Sequence, residues 1–398
     1  NKENIVGIIT ETGGKTSHSA ILARALEIPA VLSVNGAVSK LSAGTYVIVD
    51  GSEGVVIDEP DDAVIQEYDT KRINFLKERK ELENFRGKAT KALSGEEYEL
   101  FCNIGKPEDA IKAVDADGEG VGLFRTEFLF MDRTALPTED EQFDAYKKAA
   151  LTLKGKPVII RTLDIGGDKE IPYLGLKKEE NPFLGFRAIR YCLKHKDLFK
   201  TQLRAIVKAS AFGDVRIMFP LITAVEELRE GKALVEEVKA ELREQGVEFN
   251  ENIPVGIMTE TSAAVMIADI LAKESDFFSI GTNDLTGYTM ACDRGNDDVA
   301  YLYSPLQPSV LRGIKYIIDC ANKNNISVGM CGEAAANPMM VPLLMSFGLT
   351  EFSVSAPSVL KVRKTISAWS KAEADKVAEK VLAMTTEKEI SDYLKTLL

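Results

Sequence analysis

The sequence predicts an α/β protein dominated by a (β/α)8 TIM barrel over residues 92–398, preceded by a small α/β unit (1–60) and a helical linker (61–91). Three observations carry this. After residue 98, eight short apolar runs alternate with long helical patterns, as in a parallel sheet covered by helices. The first 60 residues hold short β-rich runs separated by glycine turns. Between Asp61 and Phe85 there is neither Gly nor Pro, and charged side chains dominate.

In chain order, Ile5–Ile9 reads as a strand, followed by a glycine turn and a helix from Ser17 to Leu26. Ile28-Pro29 ends that helix, because proline disfavours helical backbone before it. Ala30–Leu32, Thr45–Val49 and Gly54–Ile57 are β-rich, with Asp50-Gly51 and Glu53-Gly54 as turns. In the linker, Ile65, Tyr68, Ile73 and Phe75-Leu76 suit an amphipathic helix, and a solvated helix that only connects is the favoured reading. The barrel strands are expected at Leu100–Ile104, Val121–Phe124, Val158–Ile160, Val215–Phe219, Val255–Met258, Phe277–Ile280, Ser327–Met330 and Phe352–Val354. Glu226–Gln245 and Ser309–Asn322 are among the helices between them.

Composition narrows the function. The net charge is −12, which argues against nucleic acid as a partner, since phosphate backbones need clustered basic surface. No apolar run approaches the roughly 20 residues of a membrane helix. The five cysteines are scattered without Cys-x-x-Cys spacing, which reads as reduced thiols in a cytoplasmic protein. Only two histidines are present, so a multi-histidine metal site is excluded. The chain starts at Asn1 and enters a strand almost at once, which reads as a chain whose upstream part is missing.

Active sites of such barrels lie at the C-terminal ends of the strands. There the sequence places Arg125-Thr126-Glu127, Arg161-Thr162-Leu163-Asp164, Met258-Thr259-Glu260, Gly281-Thr282-Asn283-Asp284 and Met330-Cys331-Gly332-Glu333. Glu260 and Asp284 are hard oxygen donors suited to Mg²⁺. Arg125 and Arg161 offer forked donors for phosphate or carboxylate, and Arg294 adds a third. Mg²⁺ with several arginines fits phosphoryl transfer; a structural ion-pair network on the rim is the competing reading. Cys331, beside the metal site, is placed to protonate a carbanion or enolate, against the alternative of a small buried apolar side chain. His18, in Gly13-Gly14-Lys15-Thr16-Ser17-His18-Ser19, sits in the first turn of a helix, where free N–H groups favour a phosphoryl group. A plain surface histidine is the other possibility. His195, in Leu193-Lys194-His195-Lys196, reads as an exposed helix-end residue.

These motifs resemble Enzyme I of the bacterial sugar phosphotransferase system. The stretch Gly13–Ala20 is similar to that family's phosphohistidine motif. Asp117–Glu127 resembles its first barrel motif. Asp276–Asp284 with Tyr288-Thr289-Met290 and Asp293-Arg294 resembles its phosphoenolpyruvate signature, and Gly329–Glu333 its proton-donor motif. The resemblance covers the whole chain. It implies a partial swivelling phosphohistidine domain over 1–60, with His18 as the phosphorylated nucleophile. It implies that Arg125, Arg161, Arg294 and Asn283 hold phosphoenolpyruvate, with Arg187 as a further phosphate contact. Glu260 and Asp284 would hold Mg²⁺, and Cys331 would protonate the enolpyruvate. The expected reaction moves the phosphoryl group from phosphoenolpyruvate to His18, releasing pyruvate, and then to the carrier HPr. The family implies a cytoplasmic homodimer joined through the barrel, and an HPr-docking helical domain upstream of Asn1. The chain departs from the family's usual residues at Gly287, Gly295 and Ala334–Asn337, leaving the ligands intact. Two other readings stay open. One is a fragment of phosphoenolpyruvate synthase or pyruvate phosphate dikinase; the other is a catalytically idle phosphoenolpyruvate- or pyruvate-binding module.

Overall fold

Eight parallel strands close into a barrel in a computed structural model that describes residues 4–12, 19, 23, 28–167 and 171–398. The chain divides into two compact units, Asn1–Asn84 and Phe85–Leu398.

In the first unit, β1 (Ile8–Ile9) pairs in parallel with β2 (Ala30–Val31), and β3 (Val47–Asp50) pairs antiparallel with β4 (Val55–Asp58). The expected strand over 5–9 is reduced to its last two residues. The expected helix over 17–26 lies outside the described residues except for Ser19 and Ala23, which are helical.

A helix of 22 residues, Asp62–Glu83, follows, and the Asp61 carboxylate caps it by accepting from the Val64 N–H at 2.9 Å. The helix has no buried residue, and Ile73, Phe75 and Leu76 are 65%, 57% and 50% exposed. Its apolar side chains are too diluted by charge to form a continuous stripe. Local contacts such as Lys71–Glu67 at 2.7 Å support it instead.

The barrel strands are β5 (Glu99–Ile104), β6 (Val121–Arg125), β7 (Val158–Arg161), β8 (Val215–Phe219), β9 (Val255–Thr259), β10 (Phe277–Ile280), β11 (Ser327–Met330) and β12 (Glu351–Val354). Each pairs with the next, and β12 closes onto β5. The strands are almost wholly buried, which is why they read as continuous apolar runs rather than alternating ones. Outward side chains pack under the helices. The helix Pro308–Lys323, for example, buries Val310, Leu311, Ile314, Ile317, Ile318 and Ala321 at i, i+3, i+4 spacing. Each large side chain buried in this way contributes about 1.5–3 kcal/mol. Inward side chains Leu123, Ile159, Met218, Met258, Phe277 and Cys331 form a separate apolar cluster that plugs the barrel.

The segment entering the barrel is fastened by Arg363, which is 1% exposed. Its guanidinium donates to the Phe85 carbonyl and the Thr90 hydroxyl, each at 3.1 Å, and to the Asp117 carbonyl at 2.9 Å. These contacts lie at the end of the barrel opposite the strand C-termini, where stability rather than chemistry is served.

Candidate active site

The strand ends bring the chemistry together because five of the apolar runs (β6, β7, β9, β10 and β11) give way to polar residues at the mouth of the barrel. Arg125 and Arg161 end β6 and β7 and stand directly opposite each other in register. Glu260 follows β9, Asn283 and Asp284 lie in the first turn of the helix Thr282–Met290 after β10, and Cys331 follows β11.

Arg161 is 5% exposed. It donates to Glu127 at 2.7 Å, lies 3.2 Å from Asp164, and reaches the Met258 sulfur at 3.6 Å. Glu127 is itself fully buried. Burying a guanidinium with two carboxylates holds it charged, because their field outweighs its desolvation. Arg187 is buried in the same way. It lies 2.9 Å from Asp164 and 3.3 Å from Asp284, and its Nη1 donates to the Tyr288 hydroxyl at 3.2 Å. The Tyr288 hydroxyl in turn donates to the Phe183 carbonyl. Glycine at 166 makes this possible. At φ +94° a Cβ there would meet the Arg187 Cβ at 2.6 Å. Arg125 differs from both: it is half-buried and makes no hydrogen bond or ion pair with any described residue.

Glu260 is 2% exposed, with one oxygen accepting from the Leu221 N–H at 2.6 Å. Burial, then the charges of Asp284 and Asp164, push its carboxyl up to about 8, against the pull of Arg161 and Arg187. A buried carboxylate crowded by like charges is short of positive charge, which a divalent cation beside Glu260 and Asp284 relieves. The set is all oxygen and supplies only two ligands free of a full arginine clamp, which suits Mg²⁺ completing its shell with water and substrate. Among the described residues no group of three or more Asp, Glu, His or Cys forms a closed metal cage.

Cys331 is 4% exposed. Burial pushes its thiol up to about 11, even with Ser279, Arg161 and Arg125 favouring the thiolate. The sulfur is therefore a protonated acid at neutral pH, resting on the apolar plug beside two arginines. The Asn103 side chain donates to the Cys331 carbonyl at 3.0 Å and accepts from the Ser353 hydroxyl at 2.6 Å. Gly332 lets this turn close against the next helix, since a Cβ there would fall 1.8 Å from the Thr282 hydroxyl.

Of the residues singled out from sequence, Arg125, Arg161, Glu260, Asp284 and Cys331 share one mouth. Asn283 borders it, accepting through Oδ1 from the Glu333 N–H at 3.3 Å. Arg294 is exposed on the following loop, near the Tyr303 hydroxyl that donates to the Asn283 carbonyl at 2.8 Å. It lies outside the buried arginine–carboxylate cluster. His18 lies outside the described residues. His195 is exposed at a helix junction, stacked on Tyr191 with ring centroids 4.0 Å apart. Sequence reasoning noted Asp164 and Glu127 at the strand ends without giving them a role. It missed Tyr288 as a partner of Arg187. Their buried pairing is the signal, and it exists only once the chain is folded.

The arrangement can bind an anion through arginines, hold a divalent cation through carboxylates, and deliver a proton to carbon. The chain matches the family described as PEP-utilising enzyme, PEP-binding domain, over residues 79–370, and PEP-utilising enzyme, mobile domain, over residues 2–54. It is 47% identical over 396 residues to the phosphoenolpyruvate-protein phosphotransferase of Priestia megaterium, spanning 100% of this chain and 69% of that protein. The protein of the same name from Bacillus subtilis is 49% identical, with 99% of this chain and 69% of that protein covered. A solved HpcH/HpaI aldolase/citrate lyase family protein from Burkholderia cenocepacia superposes with a TM-score of 0.42 at 14% identity, over 69% of this chain and 94% of that one.

Proposed function

The chain belongs to the family of phosphoenolpyruvate–protein phosphotransferases, and from that premise we propose that its barrel mouth binds phosphoenolpyruvate and passes the phosphoryl group to His18. The observation that carries the reading is Arg125 standing in register with Arg161, with the protonated Cys331 thiol beside both.

Arg125, Arg161 and Arg187 take the phosphate and carboxylate oxygens, with Asn283 and Arg294 closing over them. Glu260 and Asp284 would hold Mg²⁺, which would supply positive charge to offset that of a bound phosphoryl group. An imidazole nitrogen of His18 attacks phosphorus, the bond from phosphorus to the enol oxygen breaks, and its electron pair leaves with the enolate of pyruvate. The enolate carbon then takes the proton of the Cys331 thiol, giving pyruvate. The two arginines nearest the sulfur offset the charge of the thiolate left behind. The phosphoryl group passes on to a histidine of HPr. We further propose that the enzyme works as a cytoplasmic homodimer joined through the barrel. No described helix is long and apolar enough to cross a membrane.

Labelled phosphoenolpyruvate with Mg²⁺ tests the reading. It gives an acid-labile phosphohistidine at His18 and one pyruvate per label, and His18→Ala takes no label. Label retained by His18→Ala overturns the assignment.

A further inference from the structure

We propose that Gln202, on an outer helix of the barrel, is a positioning residue that sets the spacing of the two arginines Arg125 and Arg161. The inference rests on the phosphoenolpyruvate reading above.

Gln202 lies on the helix Lys196–Ala209 and is fully buried. Its side-chain NH₂ donates to the Thr126 hydroxyl at 3.0 Å and to the Tyr146 hydroxyl at 3.1 Å. Its Oε1 accepts from the Leu163 N–H at 2.8 Å. The orientation of the amide is settled by chemistry. A backbone N–H can only donate, so the atom facing Leu163 is the oxygen, and both donors point the other way. Thr126 passes the link on, its hydroxyl donating to the Arg161 carbonyl at 2.7 Å. Tyr146 donates to Gln142 Oε1 at 3.2 Å, and the Gln142 NH₂ donates to the Pro137 carbonyl at 3.1 Å. Every proton in the chain has one consistent direction.

The places joined are specific. Thr126 directly follows Arg125. Leu163 lies between Arg161 and Asp164, the carboxylate that holds both Arg161 and Arg187. One side chain therefore ties the outgoing backbone of β6 to that of β7, immediately behind the two guanidiniums. The strand pairing stops at Arg125↔Arg161, so beyond it no backbone ladder holds these two segments together. The Gln202–Thr126 link replaces the ladder where the site begins. Misplacement of a binding group by about 1 Å is enough to cost on the order of a hundredfold in a site of this kind.

The test is phosphoenolpyruvate binding with Mg²⁺ by calorimetry, in the full chain carrying His18→Ala so that the ligand is not consumed. Gln202→Met keeps the length without the hydrogen bonds, and Thr126→Val removes the relay. Each is expected to weaken binding about tenfold, with the double variant losing clearly less than the product of the two singles, because both break the shared Gln202–Thr126 link. Val235→Ala, which opens a cavity under the helix Val225–Glu244, serves as the control. It lowers the melting temperature and leaves affinity within about twofold. Wild-type affinity in Gln202→Met with a lowered melting temperature overturns the proposal, as does additivity in the double variant. If Gln202→Met does not fold, Thr126→Val decides by the same affinity criterion. Failure of the parent chain to bind phosphoenolpyruvate fails the functional reading instead.

Discussion

The Asp164 carboxylate lies 2.9 Å from the Arg187 guanidinium through one oxygen, while its other oxygen lies 3.2 Å from Arg161. A single buried acid thus fixes two cations that would repel each other. Asp164→Asn keeps the shape and removes the charge, leaving Arg161 with Glu127 and Arg187 with Asp284. Breaking a buried pair from one side costs about 3 kcal/mol. Urea unfolding of Asp164→Asn is expected to show a loss of that order, with phosphoenolpyruvate affinity falling at least tenfold.

In the proposed reaction Cys331 acts in its protonated form. Since burial pushes the thiol up to about 11, the acid is fully present at neutral pH and is lost only as pH rises through that value. Pyruvate formation is expected to show no fall-off from Cys331 between about pH 7 and pH 10. The thiolate fraction near pH 8 is about one part in a thousand, so alkylation by iodoacetamide is slow in the native protein. Cys331→Ser slows pyruvate release and leaves phosphoenolpyruvate affinity within about twofold. Equal loss of both assigns Cys331 a structural role.

Glu260 tests the cation. Glu260→Gln removes one of the two carboxylates proposed to hold the cation, and the crowding that burial imposes on the charged form. Turnover of the variant is expected to need at least tenfold more Mg²⁺ for half-maximal rate. Chelation with EDTA is expected to abolish turnover in the parent enzyme, and added Mg²⁺ to restore it. An unchanged Mg²⁺ dependence in the variant removes Glu260 from the metal site.

Glu351 gives a prediction for stability alone. It is 4% exposed at the start of β12, inside the opposite end of the barrel, and its Oε1 has no hydrogen-bond partner. Burial, then the charge of Glu99, push its carboxyl up to about 8 from 4.5. The folded state holds the proton longer than the unfolded chain. Its contribution is therefore fully present below the unfolded value and is lost as pH rises through the folded one. Glu351→Gln is expected to match the parent near pH 4 and to exceed it by roughly 2–4 kcal/mol above pH 8. Denaturant titrations at the two pH values check this. A pH-independent difference refutes it.

Much of this was legible without coordinates. The eight strands fall within a residue or so of their expected positions, because strands buried on both faces leave continuous apolar runs. The polar residues that follow five of these runs name the mouth of the barrel, and that logic places Arg125, Arg161, Glu260, Asp284 and Cys331 there. The linker helix buries none of its side chains, because apolar spacing reports a capacity for burial and not the presence of a partner.

What the sequence by itself determined is the barrel, its register of apolar runs, and which side chains stand at its rim. All three follow from local patterning along a strand. Tertiary structure alone decided the partners: Asp164 shared by Arg161 and Arg187, the Cys331 thiol driven to stay protonated, and Gln202 reaching in behind Thr126 and Leu163. Desolvation and charge pairing act through space, between residues far apart in the chain, and no local pattern encodes them.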